Sequence, residues 1–266
     1  MQASVFDFFS MPIITLTTDF GTRDPYVAAL KAAILKEEPG TIIVVISHEV
    51  ERYSIPHASY LLTSVFRDFP TGTIHIVSVH SLSYKQHKFI ALKIDEHYFV
   101  GSDNGLFSLL SESPPQQSVR ILNEKAERTV FPAKDIFVPA ALTILRFQDL
   151  LKTGEPINSI ETLTNLKSYY QNNILYGNII HVDGYENLIT NIDFMTFEKI
   201  RNGRKFLVRF GKEKTDFLGL NYNSVQPGQC VCLFNSNNYL EIAINQGKAA
   251  SLLGLGYNKK VMVEFF

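Results

Sequence analysis

Tryptophan is absent from this 266-residue chain, cysteine occurs twice, and neither sign of charge is in excess. Each shortage narrows the function. Lys and Arg number 25 against 26 Asp and Glu, a formal net charge of −1, so no face-wide basic surface exists to neutralise a run of phosphates. Nucleic acid is not an expected partner. Cys230 and Cys232 alternate along one apolar run, which puts both on one face of a strand. Two thiols make neither a disulfide framework nor the four-ligand set of a structural metal, and they read as reduced core thiols of a cytosolic protein. No run reaches the ~18 apolar residues of a membrane-spanning helix. Residues 1–11 lack a basic leader and carry Asp7 among apolar residues, so they read not as a signal peptide but as an extension that packs as an arm or frays. The chain also lacks a Gly-x4-Gly-Lys-Ser/Thr loop, a Gly-x-Ser-x-Gly elbow and a His-Glu-x-x-His pair, which removes the commonest nucleotide-hydrolase, esterase and metalloprotease readings. A soluble, cytoplasmic protein without membrane contact is expected.

What is present is 45 % hydrophobic residues, enough for one large core or two. The first half alternates strand and helix signals. Ile13 to Thr18 is β-branched and apolar, and Tyr26 to Glu37 has helical spacing and stops at Pro39-Gly40. Thr41 to Ser47 is a continuous apolar run, as for a strand covered on both faces. A second helix is expected over about Ile55 to Phe69, a third buried strand over Thr73 to Val79, a hairpin over Phe89 to Val100 and a helix over Asp135 to Phe147. This series predicts an α/β N-terminal domain, residues 1–165, with a mostly parallel sheet. Residues 157–172 are polar without a period and serve as the linker. From residue 173 to 266, six short β-rich runs separated by Gly and Asn turns predict a smaller all-β domain, an antiparallel barrel or sandwich.

The chemistry-bearing segment is Asp19-Phe-Gly-Thr-Arg-Asp24, at the carboxyl end of the first strand and just before a helix. Open α/β sheets bind ligands at such ends. A carboxylate there can accept hydrogen bonds from the two neighbouring hydroxyls of a ribose, and Gly21 lets backbone approach. Asp24 has a second reading as the N-cap of a helix with Pro25 at its first position. Asp19 lies too early to cap.

The stretch Thr15-Leu-Thr-Thr-Asp-Phe-Gly-Thr-Arg-Asp-Pro-Tyr-Val27 resembles the opening motif of the SAM hydroxide adenosyltransferases, relatives of the fluorinase and chlorinase enzymes that cleave S-adenosylmethionine. The resemblance continues through Val45-Ile-Ser-His48, Phe69 to His75, Ser102-Asp-Asn-Gly-Leu106, Lys134-Asp-Ile-Phe137, Val182-Asp-Gly-Tyr-Glu-Asn187 and Asn235 to Ala243. It implies an α/β domain followed by a β-barrel, and a homotrimer whose substrate lies between one subunit's N-domain and its neighbour's C-domain. It implies that S-adenosylmethionine or adenosine is the ligand, with no metal or separate cofactor.

Residue by residue, the resemblance implies that Asp19 holds the ribose hydroxyls with Asp24 beside it. Tyr53, otherwise a surface aromatic, would lie over the substrate, and Ser83 and Phe131 would border it. Asp183 would meet the methionine amine, Tyr185 and Asn187 the adenine, and Ser236 the methionine carboxylate. Asp183 to Asn187 is equally a good hairpin turn. Departures concentrate where the family positions its water. An Asp is replaced by His80, an Arg falls near His87-Lys88, and a His is replaced by Pro132, with Ala133 in place of a fluoride-cradling serine. His80, His87 and Lys88 are the remaining candidates for proton transfer and charge. Two outcomes stay open: hydrolysis of S-adenosylmethionine with a rearranged water site, or binding without turnover.

Overall fold

Strand β1 (Ile13–Thr18) carries the apolar, β-branched residues that favour a pleated, buried surface, and from Ile14 onward every one of its residues is buried. The computed structural model describes residues 12–82, 88–163 and 167–266. Ser83 and His87 therefore lie outside the described residues. The chain divides into two compact units, 1–163 and 164–266.

In the first unit β1 is followed by helix α1 (Tyr26–Glu37), which buries Leu30 and Ile34, one turn apart, and ends with Lys36 beside its carbonyl-rich terminus. Next come β2 (Ile42–Ser47), α2 (Ile55–Thr63), β3 (Ile74–Ser78), β4 (Phe89–Ile94), β5 (His97–Ser102), β6 (Gln117–Ile121), α3 (Val138–Phe147) and β7 (Gly154–Pro156). The sheet order is β2-β1-β3-β5-β4-β6-β7. Pairs β2/β1, β1/β3 and β3/β5 are parallel, whereas β5/β4, β4/β6 and β6/β7 are antiparallel. The sheet is thus mixed, not mostly parallel. The reversal is built by Asp95 and Glu96, both at positive φ (49° and 64°), a two-residue turn whose twist matches an antiparallel hairpin. At the far edge, a Cβ on Gly154 would lie 1.8 Å from the Arg120 carbonyl oxygen, so only glycine permits β7 to pair.

Two further expectations change. The run from Thr41 to Ser47 is not covered on both faces: β2 is the edge strand, with Ile42 and Val45 each 37 % exposed. Apolar content alone does not distinguish a central strand from an apolar edge. Helix α2 stops at Thr63, where the Ser64 hydroxyl donates to the Tyr60 carbonyl at 2.7 Å, and a separate 3₁₀ turn covers Phe66–Asp68. Before α3 the backbone makes a π-helical turn over Ala133–Phe137.

The second unit contains β8 (Tyr169–Gln171), β9 (Ile174–Val182), β10 (Leu188–Asp193), α4 (Phe194–Arg201), β11 (Phe206–Phe210), β12 (Glu213–Thr215), β13 (Cys230–Phe234), β14 (Tyr239–Ile244), α5 (Ala249–Leu253) and β15 (Lys260–Phe265). Its strands pair antiparallel in the order β12-β11-β15-β9-β10-β14-β13, with β8 also on β9. Strand β9 makes the sheet barrel-like: Ile174 to Asn178 pair with β15, and Ile179 to Val182 with β10. One core is thereby enclosed, including Leu175, Ile179, Phe197, Val208, Ile242 and Val263. The unit is not all-β, since α4 and α5 cover part of that core. Helix α4 was hidden in a mixed sequence, but it starts on an Asp193 side chain that accepts the Thr196 amide at 2.8 Å. Cys232 is buried in this core, Cys230 packs at its margin, and burial raises both thiols, Cys230 to about 11.

Candidate functional site

Three loops meet at the carboxyl ends of β1, β2 and β3. Asp19 follows β1 directly, and its Oδ2 accepts the backbone amides of Tyr53 (3.1 Å) and His80 (3.3 Å). Both donors sit at positive φ, 62° and 49°, a conformation that bulky residues adopt only where their surroundings impose it. Their rings meet edge to face with centroids 5.6 Å apart. Asp19 Oδ1 accepts no hydrogen bond from the described residues, so a single oxygen of the carboxylate organises the loops. Tyr53 is 69 % exposed and His80 is exposed, which leaves both rings accessible.

The loop bearing His80 is pinned from behind. Asn104 Nδ2 donates to the carbonyls of Val79 (3.0 Å) and His80 (3.2 Å), Ser102 Oγ donates to the Ser81 carbonyl (2.8 Å), and Ser78 and Ser81 share a hydroxyl bond of 2.9 Å. Lys88 is exposed, and its carbonyl accepts the Asp103 amide. Burial raises the Asp103 carboxyl, against the Glu161 amide that donates to it at 2.7 Å.

Phe131 meets Phe20 and Tyr26 edge to face, and those two rings are tilted on each other, with centroid spacings of 5.5 to 6.1 Å, an aromatic wall beside the Asp19 loop. Pro132 and Ala133 are buried and offer no side-chain donor there. Asp24 is exposed and does not cap α1: Pro25 occupies the N-cap position, with no side-chain hydrogen bond. The cap reading fails because the chain enters the helix one residue later than the Asp-Pro pair suggests.

In the second unit, taken by itself, Asp183 builds the β9–β10 turn. Its Oδ1 accepts the amides of Tyr185 (2.9 Å) and Asn187 (2.8 Å), and its Oδ2 accepts Asn187 Nδ2 (3.1 Å). Tyr185 is thereby displayed at 80 % exposure, whereas Asn187 is buried. Ser236 is exposed on the β13–β14 turn, which Asn235 Oδ1 holds by accepting the amides of Asn237 and Tyr239. Sequence reasoning missed Glu241 beneath this surface. It is 3 % exposed, burial raises its carboxyl, and Tyr222 Oη donates to it at 2.8 Å. A lone charge inside the apolar run Tyr239 to Ile244 was the available signal.

Among the described residues no three His, Cys, Asp or Glu side chains converge as a metal site requires. No helix of the described residues is long and apolar enough to cross a membrane.

These two clusters are carried by the segments that match known family models. Residues 14–154 match the SAM hydroxide adenosyltransferase N-terminal domain, and residues 177–262 match the C-terminal domain. The chain belongs to the SAM hydroxide adenosyltransferase family. Within it, a Methanocaldococcus jannaschii protein named (R)-S-adenosyl-L-methionine hydrolase is 28 % identical, the alignment covering 95 % of this chain and 96 % of that one. A Thermus thermophilus hydrolase of the same name is 26 % identical over 90 % and 94 %, and a fluorinase from an Actinoplanes species is 23 % identical over 94 % and 95 %. A conserved Thermotoga maritima protein of solved structure superposes with a TM-score of 0.80 at 29 % identity, covering 94 % of this chain and 99 % of that one. The two matches lie one in each unit.

Proposed function

We propose that this protein binds S-adenosyl-L-methionine with its ribose on Asp19 and hydrolyses it to adenosine and methionine. The observation that supports this best is the Asp19 carboxylate, held by two amides through Oδ2 with Oδ1 left to accept ribose hydroxyls. The reaction is displacement at ribose C5′. A water oxygen forms the new bond to C5′, the C5′–S bond breaks, and its electron pair leaves on sulfur as the neutral thioether of methionine. Since the sulfonium is a good leaving group, the protein's task is to align the water and exclude others. His80, at the edge of the Asp19 cluster, is the group to take the water's proton, with Lys88 supplying positive charge and His87, which lies outside the described residues, as the other candidate base.

Asp183, Tyr185, Asn187 and Ser236 complete the proposed substrate contacts from the second unit, to the methionine amine, the adenine and the methionine carboxylate. Asp24, Tyr53 and Phe131 are assigned to the ribose side, and so, from its place in the sequence alone, is Ser83, which lies outside the described residues. In this reading the working unit is a cytoplasmic homotrimer with sites between subunits, which analytical ultracentrifugation tests directly.

A second reading, binding without turnover, is favoured by the apolar Pro132 and Ala133 where relatives place a polar group. Incubation with S-adenosyl-L-methionine, followed by chromatography of adenosine and methionine, separates the two. Equimolar products that disappear in His80→Ala support hydrolysis. Asp19-dependent binding with no product supports the second reading, and absence of both refutes the assignment of Asp19.

A further inference from the structure

His48, at the end of β2, is 5 % exposed and its Nε2 has no hydrogen-bond partner among the described residues. Its other ring nitrogen, Nδ1, shares a 2.8 Å hydrogen bond with the hydroxyl of the fully buried Thr18. Its carbonyl accepts the amide of Gly21 at 2.7 Å. Thr18 and Gly21 flank the Asp19-Phe20 pair, so one residue grips the chain on both sides of the carboxylate. The grip is local to this loop. The β1/β2 ladder shifts register between Leu16 and Thr17, before it reaches these residues. Beyond the ladder, the Thr22 hydroxyl donates to Glu49 at 3.1 Å and the Val50 amide to the Thr18 carbonyl at 3.3 Å. Gly21 takes a φ of 68°, which the His48 carbonyl stabilises and a larger residue would resist.

A buried imidazole nitrogen without a partner carries a desolvation cost, and apolar side chains of similar size would avoid it. A function that needs the ring's other nitrogen explains its presence. We infer that His48 is a positioning residue for Asp19, fixing the loop so that Oδ2 meets the amides of Tyr53 and His80 while Oδ1 faces the ligand. This rests on the assignment of Asp19 to the ribose. His48 itself touches no substrate.

The test is native-state hydrogen exchange at the amides of Tyr53 and His80, in the wild type, His48→Leu, His48→Asn and Thr18→Val, with the core amide of Ile76 as reference. Asn can keep the bond to the Thr18 hydroxyl, whereas Leu cannot, and Thr18→Val removes the partner at nearly constant volume. The expected result is exchange accelerated roughly 10-fold at Tyr53 and His80 in the Leu and Val variants, no change at Ile76, and near-wild-type protection in the Asn variant. Adenosine affinity should fall in the same order. Acceleration at all three amides alike, or unaltered protection in both the Leu and the Val variants, overturns the inference. The exchange measurement needs no ligand. A wild type that binds neither S-adenosyl-L-methionine nor adenosine therefore refutes the functional reading alone, and the positioning role is still decided.

Discussion

The amides of Tyr53 and His80 share a single acceptor, Asp19 Oδ2, at 3.1 and 3.3 Å. Two left-handed residues from two loops are tied to one carboxylate on a third. Hydrogen bonds to an ionised acceptor are stronger than neutral ones, and here they offset the strain of two unfavourable backbone conformations. Asp19 is therefore structural in addition to its proposed ribose contact, so removing its side chain should perturb the loops as well as binding.

Asp19→Asn and Asp19→Ala should separate these roles. The amide oxygen of Asn can still accept from Tyr53 and His80, but as a weaker, neutral acceptor, so Asn should weaken adenosine binding about 10-fold or more and cost less stability than Ala. Ala should weaken binding as much and also lose about 1–3 kcal/mol of stability. Calorimetric binding and urea unfolding on both variants check this, and equal stability of the two would refute the clamp.

Asn104→Ala should loosen the His80 loop without touching the ligand. Two carbonyls, those of Val79 and His80, lose their donor, and roughly 1–3 kcal/mol of stability should go with it. Turnover, if carried by His80, should fall more than substrate affinity. A kcat and KM comparison reads the difference.

Acid should destabilise the first unit through a buried histidine pair. Thr15 Oγ1 meets His75 Nδ1 at 2.7 Å, and His75 Nε2 meets His97 Nδ1 at 3.2 Å, among Phe66, Phe69 and Phe99. Burial holds His75 down to about 3 and lowers His97 as well. A depressed folded pKa means the unfolded chain takes up protons first. The stability is complete above the ordinary value of 6.5 and is lost as pH falls from there toward 3. Between pH 7 and 5, His75 alone should contribute about 2 kcal/mol of loss. Urea titrations at the two pH values measure it, and His75→Leu should flatten the slope.

Tyr222→Phe should remove one of the two side-chain donors, Tyr222 and Asn235, that support the Glu241 carboxylate. Burial already raises that carboxyl, so its charged form should lose about 1–2 kcal/mol at pH 7 and much less at pH 4, where the acid is protonated. Thermal unfolding at both pH values decides. A pH-independent loss would assign the effect to packing.

Periodicity and turn chemistry alone located β1, α1, β3, the β4–β5 hairpin and most strands of the second unit, because each carries its own pattern of burial and its own breakers. The ordered series of motifs, from Asp19 to the Asn235–Ala243 segment, carried the family. What the sequence could not show was set by partners distant along the chain. Whether Ile42 to Ser47 is central or an edge depends on which strands stack beside it. The mixed sheet follows from a two-residue turn at Asp95-Glu96 that redirects β5. The same holds for the site. Asp19 was legible as a carboxylate at a strand end, but its grip on Tyr53 and His80, and that of His48 on Thr18 and Gly21, exist only once three strand ends are brought together. Hydrogen bonds across loops have no period in sequence, and only the folded backbone decides them.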